Sequence, residues 1–538
     1  MPVPTIDAVY LSGNVYTVDA ARPRAEAFAV SGGAFVAVGS DADIRPLVGD
    51  GTEVVELGGR TVVPGFIDAH GHVYGLGQLE VGVIDLSVAS SYEEVIELVS
   101  ARAAGTPEGQ WIIGRGWDNE SWPDTYLPEH SALSEATPDH PVYLQRVDGH
   151  ACLANEAAMA AGRVGDATVS PDGGEIIRSG EGEPTGVFID NAERLITRAI
   201  PASAQPNAKD TILAAQRLLF EEGVTGVHDM GTQELMLANF RLLARNDLLK
   251  LRISCYLSQR FGPRHFGKKP PVRTDSISVL GVKVYLDGAM GSRGAWLLEP
   301  YADRPTDDEG NPYTGLAVTD EEYLGSLVGQ AIAKRYQIAA HAIGDRANRE
   351  VLDLYRRGAL AARGRELRWR VEHAQLLHPD DIGLFIEHGV IASMQPTHCT
   401  SDLRWVEDRV GSGRVGGAYA WASLLRTGAV IASGTDFPVE SHDPMTTLYA
   451  AVTRQTREGS PEGGWYPEQR MTRPEALRSM TLDAAHAGQA EHRVGSIEAG
   501  KLADFVVMDT DIMTCDAADI LGAEVVRTVL GGETVYEQ

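Results

Sequence analysis

Eight short apolar runs, rich in β-branched residues and separated by helical stretches, constrain this chain more than any other feature. They read TVVPGFIDAH, GVTGVHDM, RISCYL, ISVLGVKVYLD, QIAAHAIGD, RWRVEH, GVIASMQP and AVIASGTD. Alternation of strand and helix signals a parallel sheet, and eight such units close a (β/α)8 barrel. The predicted fold class is therefore α/β, with a (β/α)8 TIM barrel at its centre. One interval is too long for a single helix. Between Val73 and about Gly223 lie turn-rich segments such as GRGWDNESWPDTYLP and VSPDGGEIIRSGEGEPTG. A large insertion after the first barrel strand, about 74–220, is predicted to cap the barrel top, where loops build active sites.

Both ends of the chain carry a different signal. DAVYLSGNVYTV, AFAVSGGAFVAVG and EVVELGGRTVVPG near the start, and GSIEAGKLADFVVMD and EVVRTVLGGETVYE near the end, alternate apolar and polar residues around Gly-Gly and Ser-Gly turns. That is hairpin chemistry. It predicts a small β-sandwich domain built from 1–60 plus 490–538, around a barrel spanning 61–489.

Charge narrows the function classes. Lys and Arg number 47 against 75 Asp and Glu, a net charge of −28. A phosphate backbone or an anionic bilayer surface needs cationic neutralisation, so neither nucleic acid nor membrane is the expected partner. No run approaches the length of a membrane span, and MPVPTIDAVY lacks a basic start followed by an apolar stretch, so the expected location is cytoplasmic. Cys152, Cys255, Cys399 and Cys515 form no CxxC pair and read as free thiols in a reducing compartment. A small-molecule substrate fits this balance, and a homodimer is the default expectation for a soluble enzyme.

The sharpest chemical motif is His70-Gly71-His72. In an extended strand residues i and i+2 share a face, so both imidazoles can reach one point and supply half of a zinc-type shell. Alone, the motif reads equally as two exposed loop histidines. Later strand ends change the weighting: His341 ends QIAAH, His373 ends RWRVEH and Asp436 ends AVIASGTD. In a barrel these ends converge on one rim. Lys283 sits inside the apolar run ISVLGVKVYLD. A buried lysine is costly unless paired or neutralised. A structural ion pair is the plain alternative; a neutral amine that takes up carbon dioxide, forming a carbamate able to bridge two metals, is the functional one.

Together these segments resemble the amidohydrolase superfamily, in particular its long YtcJ-like branch (amidohydrolase 3 family), which includes N-substituted formamide deformylases. PGFIDAHGH, RVDGHACLAN, GEPTGVF, GVTGVHDMG, GVKVYLDGAMGSRGAWL, AAHAIGDRAN, VEHAQLLHP, ASMQPTH, GTDFPVE and GSIEAGKLADFVV occur in order from about residue 60 to 510. The resemblance implies His70 and His72 on a first metal and His341 and His373 on a second. It implies carboxylated Lys283 between two divalent ions, zinc by expectation, and Asp436 contacting the first metal as proton shuttle. The implied reaction is cleavage of a C–N bond, of amide or formamide type, by a metal-activated hydroxide, with small and fairly apolar substrates.

Weaker substrate-binding candidates are His150 in DGHACLAN, Asp287 and Arg293 in LDGAMGSRG, His398 in QPTH, and Trp117, with Trp122 and Tyr126 as further apolar walls. Glu372 alternates away from His373 and is expected behind the metal shell or between barrel and helices. Three other functions compete. A cyclodehydratase, lyase or isomerase could use the same metal site on an amine–carbonyl substrate. A mononuclear deaminase of this superfamily carries Glu three residues after the fifth-strand histidine, where this chain has Gly344, and leaves Lys283 without a task. A non-catalytic scaffold should have lost ligands, and none of the six is missing.

Overall fold

The computed structural model describes residues 6–538 except 308, 363 and 365. Its centre is an eight-stranded parallel sheet. The strands, numbered here around the barrel, are β1 Phe66–Gly71, β2 Val224–Thr232, β3 Arg252–Ser258, β4 Ile277–Tyr285, β5 Gln337–Ala342, β6 Arg370–His373, β7 Ile391–Met394 and β8 Ile431–Ser433. Each falls in one of the eight predicted runs, and they neighbour one another in sequence order. Helices such as Ala208–Glu221 and Asp345–Ala362 cover the outside, burying Ile212, Leu219, Val351 and Tyr355 against the strands. Strands buried on both faces explain the near-continuous apolar runs.

The seam between β8 and β1 lacks a strand ladder and is closed just beyond β8. Thr435 donates its backbone N–H (3.2 Å) and hydroxyl (2.7 Å) to Asp68. Asp436 N–H donates to the His70 carbonyl at 2.7 Å, and His72 N–H to the Phe437 carbonyl at 2.9 Å. Gly434 permits this approach, since a Cβ there would lie 2.3 Å from His70 N.

Two further layers attach to the barrel. A four-stranded sheet, including Ala8–Leu11 and Ala27–Ser31, faces a six-stranded sheet that draws Asn14–Tyr16 from one end and Phe505–Met508 and Val525–Leu530 from the other. Tyr10, Phe28, Phe35 and Phe505 pack between them. Thr61–Pro64, predicted as part of the first barrel strand, pairs instead with Phe505–Met508 in this outer sheet. Gly65 separates the two pieces. It lies so close to Thr225 that a Cβ would come within 2.3 Å of its hydroxyl.

The insertion has a six-stranded sheet of its own, from Ile84–Asp85 to Pro184–Asp190, and a separate core containing Trp117, Leu144 and Val187. Its outer parts belong elsewhere: Val73–Val81 and Ala208–Glu221 pack together on the barrel. Their contact is close at Gly77, where a Cβ would lie 1.9 Å from the Thr211 carbonyl. Gly77→Val is therefore expected to destabilise the fold by about 1–3 kcal/mol. Gly329, with open space around it in the helix Glu321–Lys334, supplies the control: Gly329→Ala should stabilise by roughly 0.5–1 kcal/mol. Denaturant unfolding of both variants measures the two effects.

Candidate metal centre

The C-terminal ends of the barrel strands bring all six predicted ligands to one rim. His70 stands fully buried at the penultimate position of β1; β1 stops at Gly71, and His72 stands just past it, at the start of the helix Val73–Val81. Lys283 projects from β4, 1% exposed, and its Nζ lies 3.2 Å from His70 Nε2. His341 and His373, from β5 and β6, have ring centroids 4.6 Å apart, and His373 lies 4.9 Å from His70. Asp436 Oδ1 sits 3.5 Å from His70 Nε2 and 3.0 Å from His72 Nε2. One ligand atom from each of His70, His373 and Asp436 falls within 4.8 Å of the others.

The imidazoles are held by the nitrogen that faces away from this point. His70 Nδ1 meets Glu372 Oε2 at 2.6 Å, His72 Nδ1 meets the Met230 carbonyl at 2.9 Å, and His373 Nδ1 meets Gln395 Oε1 at 2.7 Å. That pattern fixes ring orientation and frees Nε2, as metal ligation requires. His341 is turned the other way, with Nε2 facing the Gly288 carbonyl at 3.4 Å, which frees Nδ1. Burial holds the pKa values of His70, His341 and His373 well below the ordinary histidine value, so these rings are neutral, the ligating form. Burial lowers Lys283 to about 8, against the pull of Glu372 and Asp436. Burial alone would raise Asp436, yet His70 and His72 beside it hold it below the usual carboxylate range. Asp436 Oδ1 is buried without a well-formed hydrogen bond. An orphaned carboxylate oxygen among free imidazole nitrogens is a donor set that fits a divalent cation.

Backbone conformation aims His373 and Asp436 into the site. Glu372 stands behind the metal shell, one of its two expected places, on the interior face it shares with Arg370 two residues earlier; His373 (φ +73°) and Ala374 (φ +44°) leave the extended region, so the adjacent His373 reaches the same interior. Glu372 bonds His70 on one side and the fully buried Arg370 on the other; Arg370 Nε lies 2.5 Å from Glu372 Oε1, and Nη1 lies 2.7 Å from His228 Nδ1. Asp436 also sits in the left-handed region, φ +61°. Such conformations cost about 1–3 kcal/mol each and cluster at functional sites.

A cavity of about 190 Å³ lies over the imidazoles. His150 and His398 line it as expected. His150 comes from the insertion, its Nδ1 2.6 Å from Asp190 Oδ1, and its ring packs 4.8 Å from that of His341. His398 stacks on His373 at 5.7 Å. Asp287 stands behind the wall: its carboxylate accepts from the backbone N–H groups of Trp296, Ile343 and Gly344, tying the β4 and β5 loops together. Arg293 is corrected to a rim ion pair with Asp303, 2.9 Å. Trp117 is corrected to the insertion core, where its indole donates to the Leu144 carbonyl, because its strand turns that face inward. Trp122 packs in the same core, and Tyr126 is 81% exposed.

Sequence reasoning missed Arg146, Asp148, Gln375, Asp402 and Glu440, all of which line the cavity. Arg146, Asp148 and Glu440 stand inside the motifs RVDGHACLAN and GTDFPVE and were available there. Asp402 carries no local signal. A second cavity of about 130 Å³, at the opposite end of the barrel, contains none of the six ligands.

A family profile described as "Amidohydrolase family" matches residues 53–536. Protein LONG AFTER FAR-RED 3 of Arabidopsis thaliana is 35% identical over 98% of this chain and 91% of its own length. Two bacterial proteins also align: the putative amidohydrolase YtcJ of Bacillus subtilis, 31% identical over 99% of both chains, and N-substituted formamide deformylase of Arthrobacter pascens, 28% identical over 99% and 98%. A solved structure of an uncharacterized metal-dependent hydrolase from Pyrococcus horikoshii superposes with a TM-score of 0.76 at 26% identity, covering 95% of this chain and 99% of that one. Its family match and its rim of free imidazole nitrogens agree: the chain belongs to the amidohydrolase family and is a metal-dependent hydrolytic enzyme acting on carbon–nitrogen bonds.

Proposed function

We propose that this enzyme hydrolyses an amide or formamide C–N bond with a binuclear zinc centre and Asp436 as proton shuttle. His70, His72 and Asp436 would hold one ion, His341 and His373 the other, and Lys283, carboxylated by carbon dioxide, would join them. When bound, divalent ions lower the pKa of an attacking water and polarise the substrate carbonyl. Asp436 would accept the proton from that water and deliver it to the departing nitrogen. Its carboxylate stays ionised through the neutral range, and His398 Nε2 stands 3.8 Å from Oδ2, on the cavity side. His150 and His398 face the substrate space from opposite walls and orient the carbonyl group.

The observation that carries this reading is the outward anchoring of His70, His72 and His373 through Nδ1, which leaves their Nε2 atoms free beside Asp436 and Lys283. Lys283 favours two ions over one, since a buried amine 3.2 Å from an imidazole nitrogen has no carboxylate partner within ion-pair distance among the described residues. The deaminase alternative also meets a steric obstacle. At Gly344, where its Glu would stand, a Cβ would lie 2.0 Å from the Trp296 carbonyl oxygen.

Asp436→Asn is expected to retain metal and to lower turnover at least about a hundredfold. Metal counting beside assays on amides, formamides, carbamates and cyclic imides checks it, and turnover within threefold of the parent removes Asp436 from the role. Lys283→Met should reduce bound zinc from two ions per chain to one or fewer, and zinc uptake by the metal-free parent should be faster with added bicarbonate. Glu372→Gln should weaken zinc affinity about 10–100-fold through His70. It should also cost about 3–5 kcal/mol of stability, because Arg370 is left buried without its counter-charge; chelator competition and thermal unfolding separate the two effects.

A further inference from the structure

The catalytic cavity has two walls of different charge balance. On the insertion side, charges are paired within the protein: Arg146 bonds Asp118 at 2.9 Å and Asp148 at 2.5 Å, and Arg404 reaches Asp118 at 3.1 Å. On the facing side, formed by segments after β7 and β8, stand Asp402 and Glu440. Asp402 Oδ2 accepts only from neutral donors, the Gln375 amide at 2.9 Å and the Tyr419 hydroxyl. Glu440 Oε1 accepts from the Ser401 hydroxyl at 2.6 Å. Among the described residues, neither carboxylate has a lysine or arginine nitrogen within 4.0 Å. Burial raises both carboxyls, Asp402 to about 7, against the pull of His398 on each and of Arg457 on Glu440. Asp436 lines the same cavity, more than nine-tenths buried, with Oδ1 lacking a hydrogen bond.

A carboxylate pair without an ion-pair partner of its own in a substrate cavity is suited to receive a cation supplied from outside. The floor of the same cavity is where divalent ions would hold a carbonyl, so the two ends call for opposite character. We propose that the substrate is an amide or formamide carrying a distal protonated amine, which seats between Asp402 and Glu440. This assignment rests on the metal-centre reading above, and it replaces the apolar substrates implied by resemblance alone. Asp402 and Glu440 then determine specificity and take no part in bond cleavage.

Chelating probes test it without turnover. The zinc-loaded enzyme is titrated by calorimetry with 5-aminopentanohydroxamic acid and with hexanohydroxamic acid, which differ by an ammonium in place of a methyl group. The amino probe should bind at least about tenfold tighter, as expected for one charge-assisted contact. The double variant Asp402→Asn, Glu440→Gln should lose that preference while binding hexanohydroxamic acid within about threefold of the parent. Equal or weaker binding of the amino probe by the parent overturns the cation site alone. Failure of both hydroxamates to bind overturns the metal-centre reading and this assignment with it. Because the deciding comparison is made on the parent protein, a variant that fails to fold does not rescue the proposal.

Discussion

The hydrogen bond from Asp436 N–H to the His70 carbonyl, 2.7 Å, joins the last barrel strand to the first, and the centre depends on it. A parallel barrel brings its first and last strands together only when it closes. Here closure is made just beyond β8, through Asp68, Thr435 and the close approach at Gly434. Residues 366 positions apart in the chain thereby become neighbours, His70 and Asp436, with side-chain atoms 3.5 Å apart. Had the sheet stayed open at that edge, the imidazoles of β1 and the carboxylate after β8 would face different solvent.

Closure also sets the electrostatics. Arg370, Glu372, Lys283, Asp436 and four imidazoles share a water-poor interior, where an unpaired charge costs several kcal/mol in rough terms. Part of the cost is met within the protein: Glu372 serves both Arg370 and His70. Burial meets another part by disfavouring charge on the rings of His70, His341 and His373. What remains, the carboxylate of Asp436 beside His70 and His72 and the amine of Lys283 without an ion-pair partner among the described residues, stands where a divalent cation would be held. The requirement for metal is thus a consequence of charge bookkeeping as much as of ligand identity.

The insertion acts at a different level. Its sheet and core are its own, and it contributes His150, Arg146 and Asp148 to the cavity. Rim segments after β7 and β8 contribute the opposite wall. The candidate metal ligands thus come from strand ends and most of the remaining cavity lining from loops and the insertion, the division by which one barrel architecture serves many substrates.

The amino-acid sequence by itself made the eight strands and the six candidate ligands legible, because strand patterning is local and four of the ligands stand where an apolar run stops. His70, His341, His373 and Asp436 were legible for that reason, and Lys283 because a charge inside an apolar run is conspicuous. The tertiary structure alone decided the rest. Thr61–Pro64 left the barrel for the outer sheet because its partner, Phe505–Met508, lies more than 400 residues away. His373 came to share the interior with its neighbour Glu372 because of a left-handed backbone that periodicity does not foresee. Trp117 went to a core and Arg293 to an ion pair, since a side chain's type does not say which neighbour reaches it first. Asp402 and Glu440 came to line one cavity only through folding, a property of what surrounds a residue in space.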